Sequence, residues 1–303
     1  HSLRLRVCLS CRPNRHTTYN LRRKIIDGVS RYCGRHGGVH FIVAENVKFA
    51  TWNIDGINSR LQHVLDWCAA NGPDVLCLQE TKCIDSRFPK QKLRAAGFDH
   101  IEFHGEKAYN GVAILSRHRI YDLQKTFPGG ADDAPRRLIA AMINGIRLVN
   151  IYVPHGTALG TDKFDLKLEW LSRLRRYFDD SFERDENVLL CGDLNVAPHE
   201  LDVWKPSLWK DKTHFSKPER DALLNVKRWG FVDLFRQLND EAREYSWWSN
   251  FHHDFEKGRG LRIDHIWASS SLAEICISCS IDKTPRSWEQ PSDHAPVVAE
   301  FLV

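Results

Sequence analysis

"VKFATWNIDG" (Val47–Gly56) is the stretch that decides the reading. Its β-branched and aromatic residues form a strand pattern, and the strand ends in Asn53 and Asp55, where a polar side chain gains nothing by packing. Before it lie 46 residues of a different character, with nine Lys or Arg against Asp27 and Glu45, a net +7. The rest of the chain carries 34 basic and 37 acidic residues, a net −3, so the overall +4 belongs to the leader alone. Net charge therefore lends the body no support as a nucleic-acid binder, although a local patch can still bind phosphate.

A length of 303 residues, 42% of them apolar, is enough for one large domain. Nine cysteines stand without a framework spacing, no apolar run reaches the length of a membrane span, and no signal-peptide core is present. These features predict a cytoplasmic protein. Cys8-x2-Cys11 and Cys276-x2-Cys279 have the spacing of zinc knuckles. Strand alternation in "EICISCSI" predicts Cys276 and Cys279 on opposite faces, one in the core and one on the surface, unable to share an ion.

Beyond Val47, apolar runs alternate with helical patterns. Strands are predicted at Asp74–Glu80, Tyr109–Arg117, Arg137–Ile143, Ile146–Pro154, Asn187–Asn195, Gly260–Ser269, Glu274–Ile281 and Pro296–Val303. Asn144-Gly145 supplies a two-residue hairpin turn. Helices are predicted from Arg60, over about Lys163–Phe182 and near Glu219–Trp229. With no internal repeat or linker over 47–303, this is one mixed α/β layered domain.

The unusual polar residues gather after strands. Asp193 and Asn195 in "GDLN" alternate onto one face, which suits either a site or an Asx turn before Pro198. "PSDHAP" (Pro291–Pro296) holds an acid and an imidazole between two prolines. Asn53, Glu80, Asp193, Asn195, Asp264 and Asp293 with His294 and Tyr152 form an oxygen-rich set suited to a hard divalent cation, Mg²⁺ or Mn²⁺, and to phosphoryl chemistry.

In order, "KFATWNIDGI", "PDVLCLQETK", "YNGVAILSR", "NIYVPHG", "GDLNVAP", "GLRIDHIWAS" and "PSDHAPV" resemble the exonuclease III family of abasic-site endonucleases, within the endonuclease/exonuclease/phosphatase superfamily. The resemblance covers Val47 to Val303 and implies a four-layer αββα sandwich, two mixed, mostly antiparallel β-sheets flanked by helices. It implies an Mg²⁺- or Mn²⁺-dependent DNA repair nuclease. Such an enzyme, expected as a monomer off the membrane and nucleoid-associated if bacterial, cuts double-stranded DNA 5′ to abasic sites and trims or cleans blocked 3′ ends. Asn53, Glu80 and Asp293 match its metal residues, with Asp193 and Asn195 as further candidates. Asp193 matches the base that activates water, Asn195 the amide that orients it, and Tyr152 the tyrosine near the phosphate. His294 matches the phosphate-binding histidine held by Asp264, and Lys167 a phosphate-contacting lysine.

Trp247, Trp248 and Leu261 match the apolar wall that receives a base-less sugar; ordinary core is the other reading of Trp248. His155 stands where Asn or Gln is usual, and Ser249-Asn250 replaces a common Asp-Tyr. Two other functions fit parts of the pattern: a phosphatase or diesterase for small or lipid phosphates, and a non-catalytic nucleic-acid binder with a basic arm. Family members start with Met just before "KFATWNI", and Val47 stands there, in a chain whose single Met is Met142. Residues 1–46 are thus expected to be either upstream DNA read through, largely unstructured, or a genuine basic arm; "GGVHFIVAEN" is their one stretch compatible with a strand.

Overall fold

In the computed structural model, residues 29–33, 39–43, 46–130, 135–251 and 253–303 are described. The chain divides into two compact units, 1–44 and 45–303. In the first, β1 (Val29–Cys33) pairs antiparallel with β2 (Val39–Val43), so the apolar leader stretch does form a strand, as one arm of a hairpin. Most of the remaining leader, with Cys8 and Cys11, lies outside the described residues.

The second unit contains two six-stranded sheets. In the first sheet, β3 (Asn46–Asn53), β4 (Val75–Gln79), β5 (His100–His104), β6 (Val112–Ser116), β13 (Cys276–Ile281) and β14 (Val297–Leu302) run in the order β13-β14-β3-β4-β6-β5. In the second, β7 (Tyr121–Gln124), β8 (Leu138–Ile143), β9 (Ile146–Tyr152), β10 (Val188–Asp193), β11 (Phe231–Asp233) and β12 (Asp264–Ser269) run in the order β11-β12-β10-β9-β8-β7. Only β3–β4 and β9–β10 pair parallel among the described strands; every other pair is antiparallel.

Period-two alternation builds the layers. On β10, Leu189 and Cys191 face the other sheet, with Phe49, Cys77, Ile114, Leu148 and Ile266. Val188 and Leu190 turn outward onto Leu171, Leu174 and Phe178 of the helix Asp162–Ser181, and onto Leu223 and Val226 of the helix Lys217–Lys227. The first sheet turns Trp52, Leu76, Leu78 and Leu115 outward against the helix Leu61–Asn71, through Val64, Trp67 and Cys68. Each such side chain contributes on the order of 1.5–3 kcal/mol when fully buried. The layers are helix, sheet, sheet, helix, as the resemblance implies.

Cys276 and Cys279 depart from expectation. A bulge between Cys276 and Ser278 inserts an extra residue against β14, so both thiols face the core between the sheets while Ile277 is exposed. Burial pushes both thiols up, Cys276 to about 11. Strands β5, β7 and β11 had no clear sequence signal. On β7 no residue is buried, and β11 has three residues.

Candidate active site

The two parallel pairs meet at one edge. Asn53 ends β3 and Glu80 follows β4 in one sheet; Tyr152 ends β9 and Asp193 ends β10 in the other. Asp264, which opens β12, lies opposite Asp193 in the ladder. The carboxyl ends of parallel strands thus bring acids from both sheets together, the usual place for a site in α/β folds. Beneath them a buried amide pair clamps the sheets: Gln79 Nε2 donates to Asn150 Oδ1 at 2.7 Å, and Asn150 Nδ2 donates to the carbonyls of Leu78 and Ala113.

The backbone is bent to present these groups. Glu80 and Asn195 lie in the left-handed region, φ 47° and 53°. Such strain costs of order 1–3 kcal/mol per residue and persists only where surrounding contacts hold it. Gly192 allows the two sheet-two strands to approach, since a Cβ there would lie 1.9 Å from the Ile151 carbonyl oxygen.

Asn53 is fully buried and its Nδ2 donates to Glu80 Oε1 and Asp193 Oδ2, both at 2.9 Å. Asp193 Oδ1 accepts from the Asn195 backbone N–H at 2.9 Å. The Asn195 amide is fixed in turn by donation to the Val153 carbonyl at 2.8 Å. His294 Nδ1 lies 2.8 Å from Asp264 Oδ2, and its Nε2 lies 3.8 Å from Asp193 Oδ2. Ser246 Oγ accepts from the backbone N–H groups of Ile263 and Asp264 and so fixes the start of β12. Ser292 Oγ bridges the Asn53 carbonyl and the His294 N–H, joining the "WNIDG" and "PSDHAP" turns.

The charges are unevenly compensated. Burial pushes the Asp193 carboxyl up to about 7, with Asp264 and Glu80 adding to the effect against the pull of His294 and Asn53. Burial opposes the charge on His294, but Asp264 and Asp193 outweigh it and raise the imidazole to about 10. His294 is therefore a cation at neutral pH. Burial would also raise Glu80, but Lys82, paired at 2.9 Å, and the Asn53 amide hold its carboxyl below the usual range. Tyr152 is driven well above the ordinary phenol by burial and by Glu80 and Asp193, so its hydroxyl remains a donor.

Glu80, Asp193 and His294 place one ligand atom each within 4.8 Å of one another. The donor chemistry fits a hard divalent cation at Glu80 and Asp193, whose carboxylates converge on the one Asn53 NH2 group. A protonated His294 has no lone pair for a metal and is better suited to an anionic oxygen. Asp293 stands beside this trio: its Oδ2 accepts from Trp247 Nε1 at 2.9 Å and its Oδ1 is 4.0 Å from His294 Nε2.

Other expected residues fall differently. Lys167 is fully buried, and its ammonium donates to the carbonyls of His155 and Asn195 and to Glu219. With three donors engaged it has none left for a phosphate; it braces Asn195 from behind. Leu261 and Trp248 are buried at 0% and 2% exposure, so neither presents a surface to a ligand. Trp247 is the half-buried member and lines a cavity of about 370 Å³ with Trp209, Lys212, His155 and His214. His214 Nδ1 faces the Asn195 carbonyl at 2.8 Å and its Nε2 meets His155 Nε2 at 3.1 Å. The only sequence signal for this pair was His155 in place of an amide residue; nothing marked His214.

Residues 50–294 match the model of the endonuclease/exonuclease/phosphatase family. The exodeoxyribonuclease III of Haemophilus influenzae is 33% identical over 267 residues, which cover 84% of this chain and 100% of that protein. An AP endonuclease structure from Archaeoglobus fulgidus superposes with a TM-score of 0.81 at 39% identity, covering 85% of this chain and 100% of that one. A 3′ phosphatase from Neisseria, bound to a product DNA hairpin, superposes with a TM-score of 0.82 at 39% identity, covering 84% of this chain and 99% of that one. A match spanning both sheets and every strand-end acid leaves one assignment: this chain belongs to the endonuclease/exonuclease/phosphatase family.

Proposed function

We propose that this protein is a divalent-metal-dependent DNA repair nuclease that hydrolyses phosphoester bonds 5′ to abasic sites and at blocked 3′ ends. The observation that carries the reading is the Asp264–His294–Asp193 alignment. A buried carboxylate holds Nδ1 of a cationic imidazole, whose Nε2 faces a carboxyl raised to about 7. A group with that affinity for protons can take one from water at neutral pH, and an imidazolium beside it can bind a phosphoryl oxygen.

Each residue then has a role. Asp193 accepts the proton of the attacking water, and Asn195, locked to Val153, holds that water against it. His294 donates Nε2–H to a non-bridging phosphate oxygen, with Asp264 fixing its tautomer and charge. Tyr152 contributes its hydroxyl as a donor to the phosphate. Glu80, with Asn53 and Asp193 beside it and Asp293 at the rim, would hold Mg²⁺ or Mn²⁺. Such a cation, when bound, neutralises charge that develops on the phosphoryl group and on the leaving oxygen.

A duplex with a tetrahydrofuran abasic analogue and a duplex with a 3′-phosphate, each with and without EDTA, test the reading. Metal-dependent cleavage of either is expected, with activity restored by Mg²⁺ or Mn²⁺. Full activity in chelator, or inertness toward both duplexes with metal present, would overturn it.

A further inference from the structure

Arg286 is an arginine out of balance. It sits on the short 3₁₀ turn Thr284–Ser287 that leads into the "PSDHAP" turn, and it is 7% exposed. Its Nη1 donates to the Ser292 carbonyl. Among the described residues its Nε has no hydrogen-bond acceptor, and no carboxylate comes within ion-pair distance of the guanidinium. The guanidinium lies instead among rings, 5.2 Å from the centre of Phe255 and 5.8 Å from that of Trp248. A buried cation without a counter-ion is costly, and burial correspondingly lowers its affinity for its proton despite the more distant Asp293 and Glu256.

Arg286 also lines a cavity of about 480 Å³, together with Ser249, Asn250, His253, Ser287 and Trp288. These side chains offer hydroxyl, amide and imidazole donors. Two acids share the rim: Asp254 pairs with Arg259 at 3.9 Å, and the exposed Glu256 lies 3.9 Å from the His253 imidazole. The cavity opens beside Pro291, in the turn that carries Asp293 and His294.

We propose that this cavity binds a second phosphate of the substrate strand, next to the one being hydrolysed, with Arg286 as the central donor. The proposal rests on the function argued above. A guanidinium suits the task because its planar fork presents paired N–H groups to phosphate oxygens. Filling the site would supply the missing counter-ion and tighten the Arg286–Ser292 link behind His294. Substrates with a phosphate on each side of that link would then be preferred over those with a single phosphate.

The test replaces individual phosphates of an oligonucleotide duplex with neutral methylphosphonates, one at a time, outward from the scissile bond. Binding is measured in Ca²⁺ and cleavage in Mg²⁺. Wild type should show one non-scissile position where neutralisation weakens binding about tenfold, in line with loss of a charge-assisted contact. In Arg286→Gln, which keeps a donor for the Ser292 carbonyl, that position should become indifferent, and the salt slope of binding should fall by about 1. Arg286→Lys should recover part of the effect, and melting curves identify any variant that has not folded. If Arg286 is only a brace for the turn, every position will respond alike in wild type and variant, and the proposal fails while the nuclease assignment stands. Free inorganic phosphate that competes only through the scissile position would overturn it equally. A wild type that neither binds nor cuts the unmodified duplex would overturn both.

Discussion

Two buried charge clusters flank the start of β12, and they are built on opposite principles. Arg262 lies two residues before Asp264 and is 1% exposed. Its Nε and Nη2 donate to Asp202 at 2.7 and 3.1 Å, and its Nη1 and Nη2 to Asp233 at 3.0 and 2.7 Å. Arg236 adds a second cation at Asp202. Burial opposes all these charges, but mutual attraction wins: both aspartates are held below the usual range and Arg262 is raised. On the other side, Glu80, Asp193 and Asp264 share His294, and Lys82 reaches Glu80 and Asp55. The first cluster is neutralised and rigid. The second has more acid than base, which suits a place where a cation and a phosphate are to arrive.

The sharpest break in that contrast is Arg262→Met. It strands Asp202 and Asp233 without their main partner and should destabilise the fold by about 3–5 kcal/mol, read as a lowered urea midpoint. An unchanged midpoint would show that the matched cluster is not a stability element. In the unmatched cluster the effect should fall on rate. Asp193→Asn keeps size and removes the base, so single-turnover cleavage should slow about a hundredfold or more while DNA affinity in Ca²⁺ barely moves. Cleavage within a few-fold of wild type would remove Asp193 from the chemistry.

The contrast also carries a pH signature of opposite sign, best read by melting in EDTA. Asp193 is raised to about 7, so its stabilising contribution is complete below about 3.9, the unfolded value, and is lost as pH rises through 7. Asp233 is depressed, so its contribution is complete above about 3.9 and is lost as pH falls below that. Asp193→Asn should therefore flatten the decline from pH 4 to 8, whereas Asp233→Asn should lower stability throughout that range. Matching profiles for the two variants would mean the clusters do not differ as described. The smallest effect is expected from the leader. Starting the chain at Val47, with Met in its place, should alter stability by no more than about 0.5 kcal/mol and leave cleavage at moderate salt unchanged. An insoluble or inactive product would make the leader part of the catalytic domain.

Much of the site could be read in advance because polar residues at the ends of apolar strands are conspicuous. Asn53, Glu80, Asp193 and Asp264 stand out from their neighbours for a physical reason: nothing in packing calls for them. The supporting groups lack that contrast. Ser246 is an unremarkable serine until its Oγ meets two N–H groups from β12, and Gln79 and Asn150 acquire meaning only when two sheets bring them together. Lys167 was misplaced because a lysine on an amphipathic helix gives no sign of whether it faces solvent or, as here, Glu219. Alternation sends one of Cys276 and Cys279 to the surface because it cannot foresee the bulge that turns both inward.

The pairing of β3 with β14 has a consequence for biosynthesis. Val47 sits across the ladder from Phe301, so the strand that carries Asn53 waits for a neighbour made some 250 residues later. Partners so far apart are slow to find each other, since a long stretch of chain must be closed before the contact forms. His294 precedes β14 directly and is seated by the same pairing. A ribosome-bound chain short of β14 would hold the acids, but its imidazole would be unseated and β3 would lack its last partner. The protein would thus be inert throughout its own synthesis, becoming competent only once that late strand has been added.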